Sequence, residues 1–187
     1  PTTRYVGRAS RSGTPTRTSQ VRPEGAGDER TDGRQGGEYE IRRFRPADRD
    51  SFLSLYESVW GRCRTEEWFE WRFEANPYGD GVEMVVAERD GELVGAEPCL
   101  PFHLGARGGR VPVLQPADWI VLPDHRREGL FTRMAERTLD RYEDSRYELY
   151  YNFPTDVLLP GLESFHWRVV GEEPTYYRIE HPGRLVD

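Results

Sequence analysis

The residues best suited to chemistry lie between Trp119 and Thr132, where a strand is predicted to pass through a short turn into a helix. The turn contains Arg126 and Arg127, and Gly129 precedes the helix without a side-chain cap in the usual place. Four orphan N–H groups and the positive end of the helix dipole therefore form an anion site, which the glycine leaves open. Because guanidinium groups suit phosphate oxygens, the turn predicts a bound phosphate or pyrophosphate.

The sequence lacks the motifs of several other kinds of site. No Gly-Lys-Ser/Thr follows the turn, so it is not a Walker loop, and the three glycines of the dinucleotide fingerprint are missing. The two cysteines, Cys63 and Cys99, are far apart with no His or Cys at ligand spacing. Neither a disulfide framework nor a zinc site is supported, and no metal is expected.

The elements that hold the turn follow from the hydrophobic pattern. Asp48 is the expected N-cap of the first helix, and Asp90-Gly91 separates two apolar runs as in a hairpin. Strands are predicted at 39–44, 84–88, 93–102, 111–122, 147–153, 167–171 and 175–180, and helices after residue 48, at about 66–74, at 130–142 and shortly after 153. The order β-α-α-β-β-β-α-β-α-β-β predicts an α/β fold with a mixed sheet flanked by helices.

The charge of the chain is unevenly distributed. Of the 187 residues, 33 are Asp or Glu and 26 are basic, which gives a net charge of −7. Residues 1–37 carry seven Arg against four acids and no Leu, Ile, Phe, Trp or Met, so they are predicted to be a disordered basic tail with a net charge of +3. This tail is either a basic arm for a polyanion or a solvated segment without a role. The domain at 38–187 then carries −10, so no nucleic-acid partner is expected.

The basic residues are all Arg, and Lys does not occur. An acidic, Lys-free surface is favoured where salt is abundant, which suggests a halophilic microbial source. This hypothesis predicts that molar salt raises the stability of the fold compared with dilute buffer. The sequence has no run of about 18 apolar residues and no signal peptide at its start, so we expect a cytoplasmic protein with no membrane partner.

The turn resembles the acetyl-CoA signature of the GNAT superfamily of N-acetyltransferases. The matching residues are Val121, Pro123, Arg126, Gly129 and Leu130. The resemblance extends over roughly residues 39–181 and implies a mostly antiparallel sheet of six to seven strands. Phe131 departs from the pattern, since the superfamily favours Gly or Ala there. Residues 71–77 are similar to the enhanced-intracellular-survival branch, in which further domains often follow.

The resemblance implies a set of residues that bind acetyl-CoA as co-substrate. Backbone amides of the turn and helix start, with Arg126, would hold the pyrophosphate. The strand edge would pair with the pantetheine arm, and the Val121 N–H would polarise the thioester carbonyl. The implied set comprises Ile120, Val121, Arg126, Arg127, Glu128, Gly129, Leu130, Phe131, Thr132 and Asn152.

The activity implied is N-acyl transfer, acetyl by default, by direct attack of an amine in a ternary complex. Transfer needs a base, because an amine of ordinary pKa is protonated at neutral pH, and an acid for the departing thiolate. Gln115 stands where the superfamily often has Glu and cannot titrate, which leaves Asp118 and Glu97 as candidate bases. Leu162 stands where the usual Tyr acid is expected. The substitutes for that acid are Tyr150, Tyr151, Ser164 and His166, and Tyr151 is our candidate.

The acceptor is expected to be a small-molecule or peptide amine. The aromatic residues at positions 60, 68, 69, 71, 73 and 78 are either core or an aromatic wall for that acceptor. Because the usual base and acid are missing, two alternatives stay open. In the first alternative the chain is a non-catalytic acyl-CoA binding or sensing domain. In the second it is one lobe of a larger acetyltransferase. A monomer and a homo-oligomer are both compatible with the sequence.

Overall fold

Eight strands form one mixed sheet in the computed structural model, which describes residues 2–9, 38–106, 108–142, 145–156 and 158–174. The strands are β1 (Thr2–Ala9), β2 (Glu40–Arg43), β3 (Glu83–Arg89), β4 (Glu92–Ala106), β5 (Gly109–Pro116), β6 (Ile120–Val121), β7 (Leu149–Asn152) and β8 (Arg168–Pro174). Their order across the sheet is β2-β3-β4-β5-β7-β1-β8, and β6 pairs with β4. Within these residues β5 and β7 run parallel, and the other neighbours are antiparallel.

Helices cover both faces of the sheet. They are α1 (Arg49–Trp60), α2 (Glu66–Phe69), α3 (Leu130–Tyr142) and α4 (Leu159–Ser164). A π-helical turn at Glu70–Glu74 continues α2, and short 3-10 turns lie at Pro46–Asp48 and Pro123–His125. The expected architecture, a mostly antiparallel mixed sheet flanked by helices, is confirmed.

The hydrophobic core is divided between the two faces. On one face, Phe52 and Leu55 of α1 and Phe69 of α2 pack with Met84 and Ile120 of the sheet. On the other face, α3 buries side chains at i, i+4 spacing, which places them in one stripe toward the sheet. These side chains are Leu130, Met134, Thr138 and Tyr142. The sheet is therefore a middle layer with two covered faces.

The structure differs from the sequence expectation at the N-terminus. Residues 2–9 belong to the segment predicted to be disordered, yet β1 pairs with β7 on one side and with β8 on the other. The physical reason is that a strand inserted between two others gains main-chain hydrogen bonds along both edges, which composition does not reveal. Residues 10–37 and the strand expected at 175–180 lie outside the described residues.

Asp48 shows a second difference. It is the N-cap residue of α1, as predicted, but its side chain does not bond the first turn of that helix. Its carboxylate instead accepts hydrogen bonds from the Arg42 guanidinium at 2.7 and 2.9 Å and from the Arg45 amide at 2.6 Å. Burial raises the pKa of Asp48, but these hydrogen bonds outweigh it and the net pKa is lowered. The residue therefore anchors α1 to β2.

Candidate active site

The strand predicted over 111–122 is divided by a bulge. Pro116 lies opposite Cys99 and Ile120 lies opposite Ala96, so four residue steps on this strand match three on β4. Asp118 takes up the extra residue with a φ of 50°, in the left-handed region that side chains other than glycine rarely adopt. The bulge separates β5 from β6 and redirects the chain beyond it.

A gap opens between β6 and β7, because within the described residues β7 pairs with β5 and β1 but not with β6. The parallel ladder joins Val113 to Leu149 and Leu114 to Tyr150. β6 pairs with β4, where the Leu122 amide donates to the Val94 carbonyl at 2.9 Å. Since main-chain groups alternate in direction along a strand, the amide of Val121 points away from β4 and into the gap.

The turn between β6 and α3 is exposed from Arg126 to Gly129. Arg127 has a φ of 70° and Gly129 a φ of 69°, so two left-handed residues flank Glu128. The first helical bond runs from the Arg133 amide to the Gly129 carbonyl at 3.0 Å, which makes Gly129 the N-cap. Among the described residues no side chain accepts from the amides of residues 130–132. A Cβ built on Gly129 would meet nothing within 4 Å, so an anion has room to approach these amides.

Neighbouring side chains hold this turn against the sheet. The Arg126 Nε donates to the Val121 carbonyl at 3.2 Å, which closes the turn over β6. The Tyr39 hydroxyl accepts from Arg89 at 3.0 Å and lies 3.0 Å from the His125 Nδ1. The contact between the hydroxyl and the imidazole anchors the turn to the start of β2.

The predicted cofactor-binding residues come together around the turn and the gap. Leu130 is 2% exposed, so its backbone alone faces the turn. The ring of Phe131 lies against Trp119, with centroids 4.0 Å apart, and next to Gly161, which explains how a large residue fits where the superfamily favours Gly or Ala. Thr132 is exposed on the first turn of α3. Asn152 lies at the end of β7 and its side-chain oxygen accepts from the Phe153 amide at 2.7 Å.

A cavity of about 320 Å³ lies on the face of the sheet covered by α1 and α2. Trp71, Arg72, Asn76, Pro77 and Tyr78 form one wall, and Leu100, Pro101, Phe102 and Gln115 form the other. The aromatic cluster thus has two roles, because Trp68, Phe69 and Phe73 pack in the core while Trp71 and Tyr78 line the cavity. Gln115 reaches the cavity from β5, and six residues later, beyond the bulge, the Val121 amide of β6 points into the gap.

Two of the candidate catalytic residues lie beside this cavity. The Asp118 carboxylate forms an ion pair with the Arg72 guanidinium at 2.5 Å. Tyr151 lies on β7 with its ring 5.1 Å from that of Phe102, a residue of the cavity wall. Both residues therefore stand where the gap and the cavity meet.

Glu97 lies elsewhere. It is 1% exposed, and its register opposite Val85 places it on the face that α3 covers. Burial raises the pKa of Glu97 well above its ordinary value, and the Thr138 hydroxyl offsets only part of this effect. Its Oε2 has no hydrogen-bond partner within the described part of the chain. The structure does not bring Glu97 together with the cavity.

Sequence reasoning missed three residues that shape the site. Arg72 neutralises Asp118, Asn76 donates its side-chain amide to the Pro101 carbonyl at 3.0 Å, and Tyr39 anchors His125. Each contact joins residues at least 25 positions apart, so no local motif indicates it. No cluster of His, Cys, Asp or Glu that could hold a metal ion occurs in the described residues, and no helix found there is long and apolar enough to span a membrane.

Solved structures that share this architecture include several N-acetyltransferases. The glucosamine-6-phosphate N-acetyltransferase of Arabidopsis thaliana is 19% identical, with a TM-score of 0.60 over 76% of this chain and 99% of that one. The aminoglycoside 6'-N-acetyltransferase of Acinetobacter baumannii is 13% identical, with a TM-score of 0.57 over 76% and 99%. An aminoglycoside N-acetyltransferase in complex with CoA is 15% identical, with a TM-score of 0.53 over 79% and 97%. These likenesses show the fold.

The family is given by the sequence itself. No curated protein matches the chain at a significant level. A family model described as the acetyltransferase (GNAT) domain, in contrast, matches residues 40–170, which include the cavity, the bulge, the gap and the exposed turn. The chain therefore belongs to the GNAT acetyltransferase family.

Proposed function

We propose that this protein is an acyl-CoA-dependent N-acyltransferase, with acetyl as the default acyl group, that acts on an amine in a ternary complex. One observation carries the proposal. The segment from β5 through the bulge at Asp118 to β6 carries the Gln115 side chain into the cavity and directs the Val121 amide into the gap. An amine in the cavity and a thioester in the gap would meet at this bulge.

The residues around the gap suit acetyl-CoA. This co-substrate supplies an acyl group activated as a thioester. The amides at the start of α3, with the charges of Arg126 and Arg127, would hold its pyrophosphate, and the open space beside Gly129 supports close approach. The Val121 amide would donate to the thioester carbonyl oxygen, on which negative charge grows during attack. Asn152 would contact the pantetheine arm from the opposite strand.

The reaction joins the amine nitrogen to the acyl carbon and breaks the carbon–sulfur bond. The products are an amide and the CoA thiol, so one proton leaves the nitrogen and one reaches the sulfur. We assign the second transfer to the Tyr151 hydroxyl because its ring lies beside Phe102 on the cavity face. Asp118 is engaged by Arg72, and we assign it a positioning role, with water taking the proton of the amine.

A second candidate function is favoured by the chemistry of the cavity wall. Arg72 is its charged residue, Gln115 cannot titrate, and the nearby Asp118 is ion-paired. A wall without a free carboxylate also suits an acyl-CoA binding or sensing domain that turns nothing over.

One experiment separates these functions. Binding of acetyl-CoA is measured by calorimetry, and release of the CoA thiol is followed with a panel of amines. The double variant Arg126→Ala/Arg127→Ala should weaken binding by roughly tenfold or more, because each guanidinium at an anion site contributes about 1 kcal/mol. Arg137→Ala is the matched control, since Arg137 is exposed further along α3. Absence of acetyl-CoA binding by the folded protein would overturn both functions, and binding without turnover would leave the sensing domain.

A further inference from the structure

Two large aromatic side chains are exposed at the cavity. Trp71 is 69% exposed and Tyr78 is 43% exposed, and both belong to the cavity wall. Tyr78 lies against His103 with ring centroids 5.0 Å apart, so a second ring holds it in place. Aromatic side chains that are exposed around a concave surface are typical of ligand sites, because their faces stay dry only when a partner covers them.

The volume of the cavity limits the size of the ligand that can bind between its walls. A volume of about 320 Å³ lies at the lower end of the 300 to 1,000 Å³ usual for ligand pockets. The opposite wall is apolar at Leu100 and Phe102. This space suits one aromatic ring together with the reacting amine.

The charge of the cavity indicates that the ligand is not a polycation. Arg72 is the charged residue of the wall, and its partner Asp118 cancels that charge at 2.5 Å. A ligand with several ammonium groups needs carboxylates opposite them, because desolvating an unpaired charge is costly. The wall supplies no such carboxylate, so a compact ligand of low charge fits best.

The lack of a free base limits the amine itself. Gln115 cannot accept a proton, and Glu97 lies beneath α3 on the other face. Such a site favours an amine that is already partly neutral in water. An α-amino group has a pKa of about 7.7 to 8.0 against about 10.4 for a lysine-like amine, so its neutral fraction at pH 7 is roughly 300-fold larger.

We propose that the acceptor is an α-amino group next to an aromatic side chain, as in an aromatic amino-acid derivative or at the N-terminus of a peptide that begins with an aromatic residue. This inference rests on the proposed function. The ring lies between Trp71 and Tyr78, and the α-nitrogen faces Gln115. The nitrogen bonds to the acyl carbon as the carbon–sulfur bond breaks, its proton goes to water, and the thiolate is protonated to the CoA thiol.

The test compares four amines in the acetylation assay. Phenylalanine amide has both features, glycine amide lacks the ring, 2-phenylethylamine has the ring on an alkylamine, and the peptide Phe-Gly-Gly extends beyond the ring. We expect kcat/KM at pH 7 to be about tenfold higher for phenylalanine amide than for glycine amide, from burial of the ring. The alkylamine should be slower by on the order of a hundredfold, a difference that narrows as the pH rises toward 9. Phe-Gly-Gly faster than phenylalanine amide identifies a peptide source, and the reverse identifies the free derivative.

Variants at the cavity show whether the aromatic wall causes the preference for an amine with a ring. Trp71→Ala should lower the ratio of phenylalanine amide to glycine amide activity by about tenfold, and Tyr78→Ala by about threefold, since its ring is less exposed. Trp60→Ala is the matched control, because Trp60 is 50% exposed but lies outside the cavity wall. Equal rates for ring and ringless amines, or a faster reaction with an aminoglycoside, would overturn the inference and leave the N-acyltransferase function intact.

A binding measurement keeps the two proposals separate. Titration of phenylalanine amide is followed by tryptophan fluorescence, with glycine amide as reference. Saturable quenching in the parent protein, lost in Trp71→Ala and kept in Trp60→Ala, supports the aromatic site even where no CoA is released. Absence of quenching overturns the aromatic site whatever the assay shows.

Discussion

The Arg72 guanidinium and the Asp118 carboxylate lie 2.5 Å apart and join the two halves of the site. Arg72 comes from the π-helical turn that lines the cavity, and Asp118 is the bulge residue that separates β5 from β6. The guanidinium also lies over the rings of Trp68 and Phe73, at 5.8 and 5.7 Å. The acceptor wall and the cofactor strand are thereby fixed to each other.

Removing Arg72 should change the charge preference of the cavity. Arg72→Gln leaves the Asp118 carboxylate unpaired beside the cavity, so kcat/KM for a polyamine should rise about fivefold or more relative to that for phenylalanine amide. Arg72→Gln/Asp118→Asn should cancel this gain. Arg49→Gln is the control, because Arg49 pairs with Glu74 and Glu66 outside the cavity wall. An identical preference in the single and double variants would show that the pair does not set the charge of the site.

Tyr151→Phe should separate chemistry from binding. If the hydroxyl protonates the departing thiolate, kcat should fall by roughly 100-fold, while the calorimetric affinity for acetyl-CoA stays within about twofold. Tyr147→Phe is a suitable comparison, because Tyr147 is buried in the core on the other face. A kcat for Tyr151→Phe close to that of the parent would assign the proton transfer to water.

Arg127→Gly should move stability and binding in opposite directions. The residue has a φ of 70°, which glycine adopts without strain, so the free energy of unfolding should rise by up to about 1 kcal/mol. The loss of a guanidinium at the anion site should weaken acetyl-CoA binding by about fivefold. Arg137→Gly, inside α3, should instead lower stability by about 1 kcal/mol. Urea unfolding and calorimetry measure the two effects, and a destabilised Arg127→Gly would contradict the strain argument.

Glu97→Gln tests the buried carboxyl. Because burial raises its folded-state pKa above the unfolded value, the folded protein binds more protons, and stability falls as the pH rises from the unfolded pKa of about 4.5 toward the folded one. The variant lacks this loss, so its stability relative to the parent should improve from pH 5 to pH 8 in urea unfolding. Its kcat/KM should stay within about twofold, since the side chain lies beneath α3. A large loss of activity would instead show that Glu97 takes part in the reaction.

The sequence predicted the parts of the fold that local patterns determine. Helix α3 begins and ends where its i, i+4 stripe does, and the Asp90-Gly91 turn identified the hairpin of β3 and β4. The bulge was not predicted, because Ala117 to Trp119 interrupt an apolar run without a turn signal. The Arg72 to Asp118 pair joins residues 46 positions apart, which a local reading does not detect.

The sequence also could not predict on which face of the sheet Glu97 lies. All residues from Leu93 to Cys99 are buried, so the alternation that distinguishes an inner from an outer face is missing in this strand. The position of the turn between β6 and α3 could be predicted, because a strand followed by Arg126, Arg127 and Gly129 before a helix is a local signal. Their roles in binding acetyl-CoA stay predictions.

The position of β1 has a practical consequence for anyone who shortens this chain. Composition recommends starting an expressed fragment near residue 38, yet Val6, Gly7 and Arg8 pair with Asn152, Tyr151 and Tyr150. A fragment trimmed in this way would leave the outer edge of β7 without its main-chain partner, and β8 would lose its attachment to the sheet. The strand that carries Tyr151 and Asn152 would then be an open edge, ready to pair with another molecule.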